Sequence, residues 1–294
     1  MKQGAFGGRC APVIQLVANP AAGRHCARTV EALAGAFIRS GAQLVRSECG
    51  PRQAITIDPK ARQVCVVGGD GTARHAAIAV ARAGRPVPIS LYPAGTVNLL
   101  HREAGCALDP DLYATQIVRN PRGRRQYAAA LGDSLFLACA SAGPDSAAVA
   151  ALSPALKRRI GRAAYAISFL SVLVKWPRPA IRLCWEGRSL DCEAFYVAKG
   201  RYFAGPWSFA PDARLGDPLV HVVALHSASR FAYARFLWTM LRGNRVDRLP
   251  GVTAFSCTAL SIECAEPVAV QADGDLAAVL PVEIKVIEEP FTFC

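Results

Sequence analysis

A glycine-rich turn with one acidic residue is the part of this 294-residue chain best suited to chemistry. Val64 to Val67 are apolar strand formers, and they lead directly into Gly68-Gly69-Asp70-Gly71-Thr72. The Ala-rich segment from Ala73 to Ala83 predicts a following helix. A strand, a glycine turn and a helix N-terminus direct N–H groups and the helix dipole at one point, which favours phosphate. Because a carboxylate in that turn would repel phosphate, Asp70 predicts an intervening cation and hence a site for a nucleotide with Mg²⁺.

Two further polar turns follow strands in the same half of the chain. Asn19-Pro-Ala-Ala-Gly-Arg24 follows the strand predicted at 13–17, and Pro93-Ala-Gly-Thr-Val-Asn98 follows the strand predicted at 87–92. Strands and helices alternate over the first 125 residues, which predicts a parallel α/β sheet. Since ligands bind such sheets at the carboxyl ends of the strands, we expect these turns to lie at the ligand-binding edge.

The pattern changes after Arg125, where strand-like stretches follow one another and predict an antiparallel sheet or sandwich. We therefore predict a two-domain α+β chain. Residues 11–125 form a parallel, Rossmann-like or phosphofructokinase-like nucleotide-binding domain. Residues 126–294 form a mainly antiparallel β-sandwich domain, which the family resemblance given below implies to be the domain for the lipid substrate, and whose last residues are free to pack back on the first domain. Two predicted helices, at 154–176 and 230–242, interrupt the strands of the second domain.

Composition indicates a reduced compartment and an anionic partner. The 11 cysteines are scattered without a C-x-x-C pair, which argues against a zinc site and favours the cytosol. The N-terminus lacks the apolar region of a secretory signal, and no apolar run reaches the length of a membrane span. The net charge is +12, and no nucleic-acid-binding module is present. The charge therefore favours an anionic lipid surface over nucleic acid.

Six ordered elements make the chain resemble the diacylglycerol kinase catalytic family, in its bacterial branch related to sphingosine and ceramide kinases. Three of them are the turns described above. The others are Lys157…Gly161-Arg-Ala-Ala-Tyr165, Ala210-Pro-Asp-Ala-Arg-Leu-Gly-Asp217 and Gln271-Ala-Asp-Gly-Asp275. The resemblance extends from about Val13 to Ile287. It implies a two-domain kinase that binds ATP and Mg²⁺ in the cleft between its domains and phosphorylates a diacylglycerol-like or sphingoid hydroxyl.

The resemblance also implies roles for individual residues. Asp275 stands where the family has a glutamate general base, and Asp70 is implied to organise the metal–nucleotide complex. Asp217, with the backbone carbonyls of Arg214 and Leu219, is implied to hold a structural Mg²⁺. The residues implied to contact the nucleotide are Asn19, Gly23, Arg24, Ser47, Gly68, Gly69, Asp70, Gly71, Thr72 and Thr96. The chain departs from the family after Thr72, where Ala73-Arg74-His75 replaces a polar pair close to Asn-Glu.

Purely structural roles stay open for several of these residues. Asp70 could cap the following helix, and Asp273-Gly274-Asp275 could be only a hairpin turn between two strands. The predicted helix at 230–242 combines an apolar body, which includes Trp238, with arginines. Such a helix suits either a lipid surface or the protein core.

The sequence thus predicts an ATP-dependent lipid kinase that is cytoplasmic and peripherally associated with the inner face of the membrane. An NAD kinase is the alternative enzyme, because the glycine–aspartate turn also occurs in that class. A catalytically silent lipid- or nucleotide-binding protein is the third hypothesis, supported by the altered residues after Thr72 and by the shorter side chain of Asp275.

Overall fold

The computed structural model describes residues 11–50, 53–120, 123–151, 176–289 and 291–293. The predicted helix at 154–176, except for its last residue, lies outside these ranges, as does the Lys157–Tyr165 motif. Within the described ranges, none of the helices is long and apolar enough to span a bilayer.

A parallel sheet forms the first half of the molecule. Its strands are β1 (Val13–Ala18), β2 (Gln43–Glu48), β3 (Gln63–Gly68) and β4 (Ile89–Pro93), in the order β2-β1-β3-β4. Every residue of β3 is buried. A nearly continuous apolar run is what a strand needs when helices cover both faces of its sheet. The four helices of this half are α1 (Ala27–Arg39), α2 (Asp70–Arg82), α3 (Leu99–Ala104) and α4 (Pro110–Arg119).

Two antiparallel sheets form the second half. One has the order β10-β9-β14-β17-β6-β7 and the other β13-β12-β11-β8-β15-β16. Their strands are β6 (Ala129–Leu131), β7 (Ser134–Phe136), β8 (Cys139–Ala142), β9 (Ile181–Trp185), β10 (Arg188–Cys192), β11 (Ala194–Ala198), β12 (Val220–Leu225), β13 (Val252–Cys257), β14 (Ala259–Cys264), β15 (Ala269–Ala272), β16 (Asp275–Val279) and β17 (Val282–Val286). A core cluster that includes Phe195, Val222 and Ile284 joins the two sheets into a sandwich. In the part of this half that the structure describes, two helices accompany them, α5 (Pro144–Ala151) and α6 (Arg230–Leu241), with a 3₁₀ turn at Val246–Arg248.

The two halves share a core and exchange a strand. One buried cluster contains Val66 and Leu91 of the parallel sheet together with Tyr196 and Val223 of the sandwich. The chain terminus also returns, because β18 (Phe291–Phe293) pairs with β4 on one side and with β5 (Arg124–Gln126) on the other. The predicted fold class, a parallel α/β layer with an antiparallel β-sandwich, is confirmed by this topology.

The predicted elements differ from the observed ones in a few places. The helix after the glycine turn begins at Asp70, three residues before its predicted start. The strand-like stretch at 254–262 holds parts of two strands, β13 and β14, which divide at Thr258 and belong to different sheets of the sandwich. The helix α4 was not predicted. Asp109 starts α4, because its carboxylate accepts the N–H groups of Asp111 and Leu112.

Candidate active site

The three polar turns meet at the carboxyl edge of the parallel sheet. The N–H of Arg24 donates to the carbonyl of Ala94 at 2.8 Å. The N–H groups of Ala94 and Gly95 donate to the carbonyl of Gly68 at 2.8 and 3.1 Å. Backbone hydrogen bonds thus link the turn that follows β1, the turn that follows β3 and the turn that follows β4.

Glycine is required where two of these turns touch. A Cβ atom on Gly95 would lie 2.5 Å from the Cα of Gly69, and one on Gly68 would lie 2.6 Å from the Thr72 hydroxyl. Any side chain at Gly68 or Gly95 would therefore separate the turns or displace Thr72. The glycines of the sequence motif serve close backbone packing as well as access for a ligand.

Polar side chains border the joined turns. The Asn19 amide donates to the Thr72 hydroxyl at 2.9 Å, and its oxygen accepts the N–H of Ala21. A Cβ on Gly23 would lie 3.3 Å from the Thr96 hydroxyl, which is half-buried. Arg24 is exposed. Of the residues expected at the nucleotide, these and the Gly68–Thr72 turn lie together.

Ser47 lies apart from that group, on the edge strand β2 of the sheet. The strand extends to Glu48, so Ser47 lies inside it rather than after it. Its hydroxyl accepts a hydrogen bond of 3.1 Å from the Gln15 amide. Ser47 thus pairs with β1 near the carboxyl edge, where Val17 is its neighbour in the parallel register.

Asp70 is buried and faces into the protein. Its two carboxylate oxygens accept the N–H groups of Leu99 and Leu100 at 2.9 and 3.0 Å, which places the carboxylate at the N-terminus of α3. Burial raises the pKa of Asp70, and the hydrogen bonds from Leu100 and Leu99 oppose that rise. Asp70 therefore connects the glycine turn to α3 through these hydrogen bonds. The structural role expected from the sequence was a cap on α2, the helix that follows the turn.

Asp275 comes from the sandwich and lies over the glycine turn. A Cβ on Gly71 would be only 2.6 Å from Oδ2 of Asp275. The same oxygen is 3.4 Å from Nη2 of Arg74, whose side chain is 6% exposed, whereas the Asp275 side chain is 44% exposed. Asp70 and Asp275 are 205 residues apart in the sequence, but both lie at the Gly68–Thr72 turn. Asp70 lies on the inner side of the turn and Asp275 on its solvent side.

The turn that carries Asp275 is itself built by buried polar groups. Asp273 accepts the N–H groups of Leu137, Ala138 and Cys139 at 2.8–3.1 Å. Burial raises its pKa to about 6 against the opposing effect of these bonds. The Gln271 side chain accepts the N–H of Gly274 at 3.0 Å. Asp273 is therefore occupied in fixing the turn, and Asp275 is the carboxylate that the turn presents.

Lys199 lies where a structural Mg²⁺ was expected. Its side chain is fully buried, and Nζ donates to the carbonyls of Asp217, Arg214 and Leu215 at 2.5, 3.4 and 3.4 Å. Burial lowers the pKa of Lys199 to about 8. The carbonyls of Arg214 and Asp217 thus converge on a cation, but that cation is the lysine ammonium, and Leu219 takes no part. The residues present do not fit a resident Mg²⁺ here, because the ammonium would repel it.

Three residues of this region were not identified from the sequence as parts of the site. Arg74 stands in the sequence only as part of the departure from the family pattern after Thr72, and Lys199 belongs to none of the six motifs. Glu103, on α3, accepts the N–H groups of Arg201 and Leu215 at 2.9 and 3.3 Å. Burial of charged residues depends on long-range contacts, so no local pattern marks these three.

The comparisons with known proteins match this architecture. The family described as "Diacylglycerol kinase catalytic domain" matches residues 14–128, and the one described as "YegS C-terminal NAD kinase beta sandwich-like domain" matches residues 138–292. A Pseudomonas aeruginosa protein named "Probable lipid kinase YegS-like" is 31% identical over 217 residues, which cover 71% of this chain and 68% of that protein. A Mycobacterium tuberculosis protein named "Diacylglycerol kinase" is 29% identical over 76% of this chain and 74% of its own.

A solved structure has the same fold. A diacylglycerol kinase from Bacillus anthracis superposes with a TM-score of 0.75 at 18% identity, covering 95% of this chain and 96% of that one. At this identity the likeness shows the fold. The family matches cover both halves, and the second half is likened to NAD kinase only in the name of its domain. The chain therefore belongs to the diacylglycerol kinase catalytic family of ATP-dependent lipid kinases, which are phosphotransferases with an alcohol as acceptor.

Proposed function

We propose that this protein transfers the γ-phosphate of ATP, bound with Mg²⁺, to a lipid hydroxyl at the contact between the Gly68–Thr72 turn and the Asp273–Asp275 turn. The observation that carries the proposal is the position of Asp275. Its Oδ2 lies against Gly71, at the N-terminus of α2, where the first N–H groups of a helix favour phosphate. A carboxylate and a phosphate-binding helix N-terminus thus face the same point.

The nucleotide lies on the carboxyl edge of the parallel sheet in this proposal. The phosphates contact the Gly68–Thr72 turn and the neighbouring groups of Asn19, Gly23 and Thr96. Arg24, which is exposed beside them, donates to a phosphate oxygen. Ser47 lies at the base or ribose end, since it occupies the edge strand of the sheet.

Asp275 is the proposed general base. It accepts the proton of the lipid hydroxyl as the hydroxyl oxygen bonds to the γ-phosphorus and the bond to the β-phosphate oxygen breaks, so that ADP leaves. Arg74 holds the Asp275 carboxylate in place and adds positive charge beside the transferring group. Mg²⁺, when bound, would neutralise charge on the phosphates through its water shell. Both oxygens of Asp70 accept the N–H groups of Leu99 and Leu100, so Asp70 would organise the nucleotide site by fixing the turn against α3.

The acceptor reaches this site from a membrane surface. On α6, Tyr233, Phe236 and Met240 are buried, whereas Phe231 and Trp238 are 89% and 62% exposed. The Arg242 guanidinium lies 5.5 Å from the centre of the Trp238 ring. Exposed aromatic residues next to arginines, on a chain of net charge +12, suit the interface of an anionic bilayer. We propose that α6 is the element that docks on lipid. The boundary between the nucleotide-binding domain and the lipid-substrate domain is placed near residue 125 in this proposal.

A labelled-phosphate assay tests the proposal. Purified protein is incubated with ATP labelled at the γ-phosphate and with vesicles that carry diacylglycerol, ceramide or a sphingoid base, in Mg²⁺ or in EDTA. We expect Mg²⁺-dependent label in the lipid extract. A parallel reaction with NAD⁺ and no lipid tests the alternative enzyme. Label in the dinucleotide alone, or ATP binding without transfer to any acceptor, would contradict the proposal.

A further inference from the structure

The cluster around Lys199 goes beyond the transfer reaction. The Lys199 side chain is completely buried, which is rare for lysine unless its charge is compensated. Among the described residues no carboxylate lies within ion-pair distance of its ammonium. The compensation comes from the backbone, because the three carbonyl oxygens of Asp217, Arg214 and Leu215 converge on Nζ.

Three converging carbonyl oxygens form the kind of ligand set that hard cations bind in proteins. An ammonium group has three N–H donors and no acceptor, so it can satisfy the three carbonyls at once. Glu103 and Asp217 supply the negative charge around the cluster, and both favour the charged form of Lys199. The segment around residues 213–217 is therefore folded around a cation.

The cluster is connected to the proposed phosphate site. Lys199 follows β11, and the N–H groups of Lys199 and Gly200 both donate to the carbonyl of Ala138. Glu103 connects α3 to the cluster through the N–H groups of Arg201 and Leu215. The other end of α3 holds the Asp70 carboxylate. A cation at this place therefore fixes a loop of the sandwich against the helix that positions Asp70.

We propose that the ammonium of Lys199 is a built-in replacement for a structural divalent cation. It occupies the carbonyl cluster of Arg214, Leu215 and Asp217, so this chain needs no bound metal to order that loop. The Mg²⁺ that accompanies ATP is a separate requirement and is unaffected. A chain with an amide in place of Lys199 would leave the carbonyls and Asp217 free for a divalent ion.

Thermal unfolding of the full chain without nucleotide tests this. The wild-type protein should unfold at the same temperature in EDTA and in millimolar MgCl₂ at matched ionic strength. Lys199→Asn should lower the unfolding midpoint in EDTA by roughly 5 °C or more, because it removes the ammonium and leaves the buried carbonyl oxygens without their donor. MgCl₂ should restore most of that loss in Lys199→Asn. It should restore none in Lys199→Met, whose side chain fills the space without charge. Lys285→Asn changes an exposed lysine and should behave as wild type.

Three results would overturn the proposal. The first is a wild-type midpoint that rises with MgCl₂ beyond the effect of matched NaCl. The second is a Lys199→Asn variant that MgCl₂ does not stabilise. The third is stoichiometric divalent metal that stays with the wild-type protein after dialysis against EDTA, measured by elemental analysis. The first and third use only the wild-type protein, so they decide the matter even if the variants do not fold. All three are independent of kinase activity.

Discussion

Asp275 is the first residue of β16 and also lies against the glycine turn of the other half of the molecule. Asp273 and Gly274 form the intervening turn with φ values of 49° and 87°, in the left-handed region that Asp and Gly tolerate. The residue is thus part of a hairpin and also lies at the proposed transfer site. A hairpin turn is a rigid support for a reactive carboxylate, because its register is fixed by both strands.

Replacing Asp275 with Asn should lower kcat by about 10²–10⁴-fold, the usual contribution of a positioned base. ATP affinity should stay close to wild type, because the proposed phosphate contacts belong to other residues. Lipid phosphorylation and ATP binding are measured separately. Asp133→Asn is the matched control, since Asp133 is an exposed aspartate that lies between β6 and β7. Full activity in Asp275→Asn would remove Asp275 from the mechanism.

Gly71→Ala tests the contact between the two motifs without removing a charge. The new methyl would lie 2.6 Å from Oδ2 of Asp275, so the carboxylate must move. Gly71 is inside α2, where alanine is the better helix former, and stability should not fall. We expect kcat to drop by about 10–100-fold from misplacement of the base. Gly50→Ala, which has open space around its Cβ, is the control. Unchanged kcat in Gly71→Ala would show that Asp275 acts elsewhere.

Asp273 should give the protein a specific pH dependence of stability. Its pKa is about 6 in the folded state and about 3.9 in an unfolded chain, so the folded state binds the proton more tightly. The stability that this group contributes is complete below about pH 4 and is lost as the pH rises through about 6. Asp273→Asn removes this titration. The variant should be less stable than wild type, because the new amide nitrogen faces one of the backbone N–H groups that the carboxylate accepts.

The free energies of unfolding of wild type and Asp273→Asn are therefore compared between about pH 4 and pH 7. The difference should shrink as the pH rises, by up to about 3 kcal/mol. Contributions from the other titrating groups cancel in that difference. A difference that is constant over this range would contradict the raised pKa.

At the scale of single elements, α6 stands out among the described helices because it exposes three large apolar side chains. One face packs into the core through Tyr233, Phe236 and Met240. The other exposes Phe231, Trp238 and, at 45%, Leu241, together with arginines. A helix that only packs on a protein core normally turns polar side chains, and not large aromatic ones, to water. The exposed face therefore fits a helix that lies in a membrane interface while remaining anchored to the core.

Trp238→Ala and Phe231→Ala should each weaken binding to anionic vesicles roughly tenfold, through the loss of apolar area buried in lipid. Binding should also weaken as salt is added, because screening reduces the attraction between the arginines and anionic lipid. Co-sedimentation with vesicles measures both effects. Leu112→Ala removes an equally exposed apolar side chain from α4 and should leave binding unchanged. Equal binding of wild type and both α6 variants would contradict the docking role.

At the scale of the whole molecule, the two halves depend on one another. A single core cluster joins them, and the last strand of the chain lies between β4 and β5 in the parallel sheet. Asp275 and Asp70 thus lie on two halves that share both a core and a strand. In the proposed function, the shared core and strand would maintain the spacing that phosphoryl transfer between the two halves needs.

Phe293→Ala should destabilise both halves by about 3 kcal/mol or more, because Phe293 is only 6% exposed and pairs with Ile89 of β4. The unfolding midpoint should fall, and hydrogen exchange in β4 should accelerate. Thr292→Ala changes the half-buried residue that stands between Phe291 and Phe293 in the sequence, and it should have a much smaller effect. Unchanged exchange in β4 would show that the parallel sheet does not need the returning strand.

Local patterns were enough for strands β1, β3 and β4 of the parallel sheet and for the position of the glycine turn. The strand β3 is apolar at nearly every position, and the Gly68–Thr72 turn follows it directly, so sequence order alone placed a phosphate-binding geometry there. The hairpin at Asp273-Gly274 was similarly visible, because Asp-Gly is a strong turn signal. Helix α4 was missed, and so was the contact that places Asp70 at the N-terminus of α3, because the two are 29 residues apart in the chain.

The sequence by itself determined the fold class, the family and the identity of the two candidate aspartates, because each depends on residues that are close together in the chain. Only the tertiary structure decided what surrounds them. Asp70 faces into the protein, Asp275 lies beside Arg74, and Lys199 occupies the place expected for a metal. Those outcomes depend on which distant groups share a buried volume, and the cost of burying a charge is set by partners that no local spacing reveals.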